Sequence, residues 1–242
     1  MSREKILRSM SVHLRKNASY FLVSAFLLGL ALPIWAGDKE KDEETLENAT
    51  TVLRAMLTDK NIPPDVLAKA NCIVILPNVK KVSYIVGGSG GRGPMVCRTG
   101  DTFNGKWSAP AMYGVGGVSA GFQVGVTSSD FVLLIMTEKG VKAVLKGKGK
   151  MGADATVAAG PGATAHGVTG SDILTYGRSK GVFAGVSLSG ASLDPDDDAN
   201  KRLYGKAITA KEIVRQNEVQ PPAVGGKALI SLLDTKAPNR SN

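Results

Sequence analysis

Gly87-Gly88-Ser89-Gly90-Gly91-Arg92-Gly93 is the stretch on which the fold turns. It follows the run Val82-Ser83-Tyr84-Ile85-Val86 and opens a segment, Gly87 to Gly190, that holds 24 of the 29 glycines. Glycine at this density interrupts helices but suits tight turns, bulges and close backbone approach in a sheet. Short apolar runs lie between the glycines, and Phe131-Val132-Leu133-Leu134-Ile135-Met136 is the most apolar of them. The pattern predicts a β-rich body joined by glycine turns, with Gly87–Gly93 as one such loop.

The same glycines match two nucleotide or nucleophile motifs formally. Gly88-Ser89-Gly90-Gly91-Arg92-Gly93 fits G-x-G-x-x-G, but that fingerprint needs a helix next, its N-terminus facing a pyrophosphate. Gly93-Pro94-Met95-Val96-Cys97-Arg98 follows instead and reads as strand. Gly87-Gly88-Ser89-Gly90-Gly91 fits G-x-S-x-G, which also needs a strand-to-helix elbow, a histidine and an acid. Ser89 with His166, and Asp172 as nominal third member, is the only hydrolase reading, and nothing around His166 marks it as poised. Gly100 to Lys106 has P-loop spacing, but Trp107 stands where the magnesium-binding hydroxyl belongs. No catalytic residue and no cofactor is assigned.

Working outward, Asp42 to Thr58 has helical spacing, with Leu46, Ala49, Leu53, Met56 and Leu57 on one face. Asp42, Glu43, Glu44 and Glu47 fall in its first turns, where they complement the helix dipole. A second helix is expected from Pro63 to Ala70. Strands are expected at Cys72–Leu76, stopped by Pro77, then at Val82–Val86 and Met95–Arg98. Met112–Val126 reads as two strands or one bent strand, and Phe131–Met136 as a central one. Gly140–Leu145 reads as a short helix, and Ala153–Ala159, Ile173–Tyr176 and Val182–Leu188 as further strands. Asp194-Pro195-Asp196-Asp197-Asp198 starts a helix, where capping explains the acids better than calcium does. A last helix covers Ala210 to Gln216. The tail beyond it is expected to be loose, with a helical turn or two at Lys227–Leu233.

The 242 residues carry a net charge of +9, and aromatic content is 5%. Arg3, Lys5, Arg8, Arg15 and Lys16 against Glu4 precede an apolar run from Tyr20 to Trp35, which reads as an export signal ending near Ala36. The run also matches the shortest membrane span, so an uncleaved anchor is the alternative. Without residues 1–36, 25 basic and 20 acidic groups remain, a balance of +5, which is too thin for a nucleic-acid binder. Two cysteines do not make a structural zinc site. Cys72, inside an apolar run, reads as a buried thiol; pairing with Cys97 in an exported chain is the alternative.

One polar feature points to a ligand. Lys142, Lys146, Lys148 and Lys150 lie in Val141-Lys-Ala-Val-Leu-Lys-Gly-Lys-Gly-Lys, with an apolar side from Val141, Val144 and Leu145. Each lysine near an anionic membrane contributes about 1 kcal/mol. Lys80, Lys81, Arg178 and Lys180 are further basic residues that would extend the same face if the fold joins them. A solvated lysine-rich turn is the bland alternative.

Ordered blocks along the chain resemble the SYLF lipid-binding domain family, found in bacterial envelope proteins and in eukaryotic membrane-and-actin adaptors. Lys69-Ala70-Asn71-Cys72-Ile73-Val74-Ile75-Leu76-Pro77 is similar to its opening strand, and Gly87–Gly93 to its glycine loop. Trp107-Ser108-Ala109-Pro110 resembles its W-S-x-P block, followed by Gly121-Phe122-Gln123-Val124-Gly125 and Asp130. Later blocks are Gly152-Ala153-Asp154, Ala159-Gly160-Pro161, Tyr176–Ser187, and Asn200 with Tyr204-Gly205. Pro94 and Gly162-Ala163-Thr164 depart from the pattern; the latter replaces the more usual V-G-R, where a basic headgroup contact is then missing. The resemblance covers about residues 42–216. It implies an α+β domain, a largely antiparallel twisted sheet or partial barrel flanked by N- and C-terminal helices. The expected organisation is a signal peptide (1–36), a lipid-binding domain (37–216) and a tail (217–242). It implies non-catalytic binding of acidic phospholipid at an envelope membrane, in the periplasm or peripherally attached. Alternatives are an acyl-chain carrier with an internal cavity, or a structural envelope protein acting through protein contacts. Trp107 is expected to pack under the glycine run.

Overall fold

In the computed structural model the described residues are 35–83, 86–120, 125–147, 149–150, 156–158, 171–179, 182–183, 188 and 191–240. The expected export signal and His166 lie outside them, as do residues 84–85 and 121–124. Lys39–Asn242 forms one compact unit.

Helices α1 (Trp35–Thr58) and α2 (Pro64–Lys69) lead into four long strands, β1 (Cys72–Ser83), β2 (Val86–Cys97), β3 (Ala111–Ala120) and β4 (Gly125–Ile135). Helix α3 (Glu138–Leu145) and the short strands β5 (Gly149–Lys150) and β6 (Thr156–Ala158) follow. Then come β7 (Ile173–Ser179), β8 (Val182–Phe183), β9 (Ser192–Pro195), α4 (Asp197–Tyr204), α5 (Ala210–Val214) and α6 (Gly226–Lys236). The strands form one open sheet in the order β5-β9-β3-β2-β1-β4-β7-β6, with β8 on β7. Every pair is antiparallel except β6 with β7. This is the expected α+β class.

Both faces of the sheet's central part are covered, which is why β1 and β4 read as continuous apolar runs rather than alternating ones. Ile73, Ile75, Val96, Val132 and Leu134 meet Leu53, Met56, Leu67, Leu229 and Leu233 of α1, α2 and α6. Val74, Leu76, Cys97, Phe131 and Leu133 on the opposite face meet Val141 and Val144 of α3 and Ile213 and Val214 of α5.

The glycine run is not a loop. Gly87–Gly93 lies inside β2, paired along its length with β3. Nor does Pro77 end the first strand: β1 continues to Ser83 through a register shift between Leu76 and Val79. Asn78 takes φ +56° there, and its N–H donates to Asp130 Oδ1 at 2.9 Å. A bulge tolerates a residue without an N–H, so the proline bends the strand instead of stopping it. Two neighbouring glycines are required by this bend. A Cβ on Gly93 would lie 1.9 Å from the Ile75 carbonyl oxygen, and one on Gly91 would lie 2.9 Å from the Val79 side chain.

Four further expectations are corrected. Cys72 is not a free thiol: it faces Cys97 in the β1–β2 register and the two form a disulfide, Cα atoms 4.0 Å apart. Asp42 does not stand in a first turn complementing the helix dipole, because α1 begins at Trp35; it is fully buried, Arg202 Nε reaches it at 2.7 Å and Arg92 also pairs with it. The tail is not loose. Arg98 donates to the carbonyls of Ala237 and Pro238, both at 2.9 Å, and Trp107 Nε1 donates to Ala237 O at 2.9 Å. Arg240 donates to Ala70 O at 2.8 Å and Ala68 O at 3.0 Å. Trp107 therefore sits beneath the C-terminal segment, stacked on Arg98, not beneath the glycine run. Burial pulls the Arg98 pKa down to about 10, assisted by the positive charge of Arg240, which leaves it cationic at neutral pH.

Candidate functional site

Helix α3 begins with Thr137, whose Oγ1 accepts from the Gly140 N–H at 3.0 Å, the expected role of a threonine N-cap. The same hydroxyl donates to Asp172 Oδ1 at 2.5 Å, and Lys139 reaches Asp172 Oδ2 at 3.0 Å. These contacts hold the Asp172 carboxyl below the usual carboxylate range, the Thr137 hydrogen bond contributing most. Val141 and Val144 face the core, which turns Lys142 and Lys146 outward.

Helix α5 is set by a capping box, Thr209 with Glu212. Its C-cap residue, Arg215, donates to the carbonyls of Arg98 and Gly100, each at 3.1 Å, and lies over the Phe103 ring at 4.0 Å. A cleft of about 300 Å³ runs between α3 and α5. Phe103, Val141 and Leu145 make its apolar part, and Lys142, Lys146, Lys211 and Arg215 its basic part. Glu138 also lines it, paired with Lys142 at 2.7 Å, and that hydrogen bond lowers the Glu138 pKa. Lys211 and Arg215 were missed in the sequence, although their i, i+4 spacing places them on one side of a helix.

The remaining basic residues are distributed differently. Lys80 is exposed on β1 and lines a groove of about 410 Å³ with Lys41, Glu44 and Asn48 of α1. Lys80 pairs with Gly90, Gly90 with Gly116, Gly116 with Ser192 and Ser192 with Lys150. One lateral row of the sheet therefore carries both Lys80 and Lys150. Lys81 occupies the adjacent row, beside Ser89 and Thr127. Arg178 is half-buried and bonded to Asp130 at 3.2 Å and to Asp59 at 3.6 Å, so it braces the bulge region. Lys148 and Lys180 lie outside the described residues. The four-lysine cluster thus divides, with Lys142 and Lys146 on the α3 cleft and Lys150 at the sheet edge.

Asp194, Asp196, Asp197 and Asp198 do not converge on a cation. Asp194 is in β9, and Asp196 Oδ1 caps α4 by accepting from the Ala199 N–H at 3.0 Å. Among the described residues no group of three or more His, Cys, Asp or Glu side chains is arranged to hold a metal. Ser89 lies mid-strand rather than at an elbow. No described helix is long and apolar enough to cross a membrane.

Residues 116–236 match the family model described as "Ysc84: Las17-binding protein actin regulator". The "SH3 domain-containing YSC84-like protein 1" of Xenopus laevis is 34% identical over 205 residues, covering 82% of this chain and 59% of that protein. The human protein of the same name is 35% identical over 190 residues, covering 76% and 54%. "LAS seventeen-binding protein 3" of Saccharomyces cerevisiae is 36% identical over 191 residues, covering 75% and 40%. The chain thus spans 40% to 59% of the length of these curated relatives. With half of the chain inside the family model and relatives of 34% to 36% identity covering 75% to 82% of it, this chain belongs to the Ysc84 family, the family of the SYLF domain.

Proposed function

We propose that the protein binds acidic phospholipid without catalysis, at a membrane of the cell envelope, after export. The α3–α5 cleft is the observation that carries this reading: cations from two helices stand around an apolar patch of Phe103, Val141 and Leu145. An acidic amphiphile needs that pairing, with cations for the headgroup and apolar surface for the glycerol and upper chain. Lys146 and Lys211 make no ion pair among the described residues, so their charge is available, whereas Arg215 is held rigid by two carbonyls. Export and a periplasmic or peripheral location rest on the N-terminal sequence alone.

Co-sedimentation of the full chain with neutral and anionic vesicles, at low and high salt, tests this. Binding restricted to anionic vesicles and weakened by salt is expected, because exposed charges are screened beyond about 8 Å at physiological ionic strength. Equal partitioning to neutral vesicles, or none to either, would falsify it.

A second reading is a protein contact. It is favoured by the yeast relative's name, which calls that protein Las17-binding. Here the family's shared region would serve as an adaptor surface. Retention of a protein ligand by a chain that ignores every vesicle would favour this alternative.

A further inference from the structure

The register of the four long strands places an apolar row at the end of the sheet where β1 and β3 end and β2 and β4 begin. Val82 pairs with Val126 on one side and Gly88 on the other, and Gly88 pairs with Val118. Directly paired residues point to the same face of a sheet. Val82, Val118 and Val126 therefore stand on one face, in one row across β4, β1, β2 and β3. They are 53%, 83% and 71% exposed, whereas Val74, Val79, Val96, Val115 and Val132 of the same strands are buried. Val118 shares its face with Met112, two-residue steps away along β3, and Met112 packs against Leu46 of α1. The row thus continues the helix-covered face beyond the place where α1 covers it.

Gly88 in this row, and Gly90 and Gly116 in the next row inward, differ from Gly91 and Gly93. A Cβ on Gly90 would meet nothing within 4 Å, and one on Gly88 or Gly116 would meet only a carbonyl oxygen at 3.9 Å. Packing does not require glycine here, and the residues are in extended strand. What glycine does at these positions is leave the backbone bare, a shallow strip that begins between the Val82 and Val118 methyls and runs inward beside Lys80. The next row inward, on the same face, carries Lys80 and the register position of Lys150. The opposite face at this end is polar, with Lys81, Ser89 and Thr127 in its row.

An apolar edge backed by cations matches the boundary of an anionic bilayer, where methyls enter the headgroup region and lysines remain with the phosphates. We infer that the valine row Val82, Val118 and Val126, with its glycine strip and the Lys80 row behind it, is the edge by which this protein enters the interface of an anionic membrane. The inference rests on the membrane reading above and adds to it a second contact, separate from the α3–α5 cleft.

The test uses the full chain and vesicles of mixed phosphatidylcholine and phosphatidylglycerol. Val118→Asn with Val126→Asn removes methyls without adding charge, and about a tenfold loss of vesicle affinity, roughly 1.4 kcal/mol, is expected. Val224→Asn, also exposed but far along the chain from this edge, is the control and should bind as the parent does. In a second measurement, Val118→Trp should give emission that shifts to the blue on vesicles and is quenched by brominated acyl chains. If the parent binds anionic vesicles while the double variant binds equally well and Trp emission at 118 is unchanged, this edge is not the contact and the membrane reading survives. If the parent binds no vesicle, both fall together. Unchanged thermal unfolding of the double variant, expected for side chains this exposed, separates lost contact from lost fold.

Discussion

Gly93 and Gly90 lie three residues apart in one strand, yet they are glycine for opposite reasons. The Gly93 Cα faces the Ile75 carbonyl across the β1 bulge, so Gly93→Ala forces backbone apart and is expected to destabilise by about 3 kcal/mol. Gly90→Ala meets open space and removes strand-glycine entropy, so it should be neutral or stabilising by up to about 1 kcal/mol. Urea unfolding of the two variants side by side checks this; equal effects would contradict the assignment. Asp172 gives a pH signature at the same scale. Its folded pKa is depressed by Thr137 and Lys139, so the stabilisation is present above the unfolded value near 3.9 and is lost as pH falls through the folded value. Asp172→Asn should therefore lower stability at neutral pH and flatten its decline below about pH 4, read from denaturation midpoints across that window. None of these three roles was legible in the sequence. The five glycines between positions 87 and 93 look alike until a bulge selects which of them is crowded, and nothing local to Asp172 announces Thr137 and Lys139 as its partners.

At the scale of elements, apolar periodicity found the strands and helices well and their ends poorly. Pro77 signals a strand end in the sequence, but β1 runs on because a bulge absorbs the missing N–H. The disulfide joins the directly opposed Cys72 and Cys97 at the far end of the β1–β2 pair, closing a separation of 25 residues. Reduction, or Cys72→Ala with Cys97→Ala, should cost about 3 kcal/mol by releasing the unfolded chain. Unfolding midpoints with and without reductant measure this, and no difference would show that the bridge adds nothing to stability. Helix α6 illustrates the opposite lesson. Its leucines, Leu229, Leu232 and Leu233, were visible as a helical turn, but nothing local announced that they pack on Ile73 and Val96. Nor did the chain show that Arg98 and Trp107, some 130 to 140 residues earlier, would bind the carbonyls that follow α6.

Across the whole molecule, the basic residues do not make one footprint. Lys146 meets Lys211 and Arg215 at the α3–α5 cleft, Lys80 shares a row with Lys150, and Arg178 is committed to Asp130 and Asp59. If the cleft holds acidic headgroups, Lys146→Ala with Lys211→Ala should weaken binding to anionic vesicles by roughly tenfold to thirtyfold, at about 1 kcal/mol per lysine. Their binding to neutral vesicles should not change. A pair that binds anionic vesicles as the parent does would remove the cleft from the account, leaving the sheet edge to carry the contact.

Sequence alone determined the α+β class, the apolar centre at Phe131–Ile135, the helices at both ends and the family, because each depends on local periodicity or on ordered blocks. Tertiary structure decided which glycines are forced, which cysteines meet, that the tail is locked, and which lysines stand together. Those depend on strand register and on contacts more than 100 residues apart along the chain, such as Arg215 with Arg98 and Arg98 with Ala237. A shift of one residue in register would turn Val82, Val118 and Val126 to different faces, and no stretch of sequence read by itself carries that information.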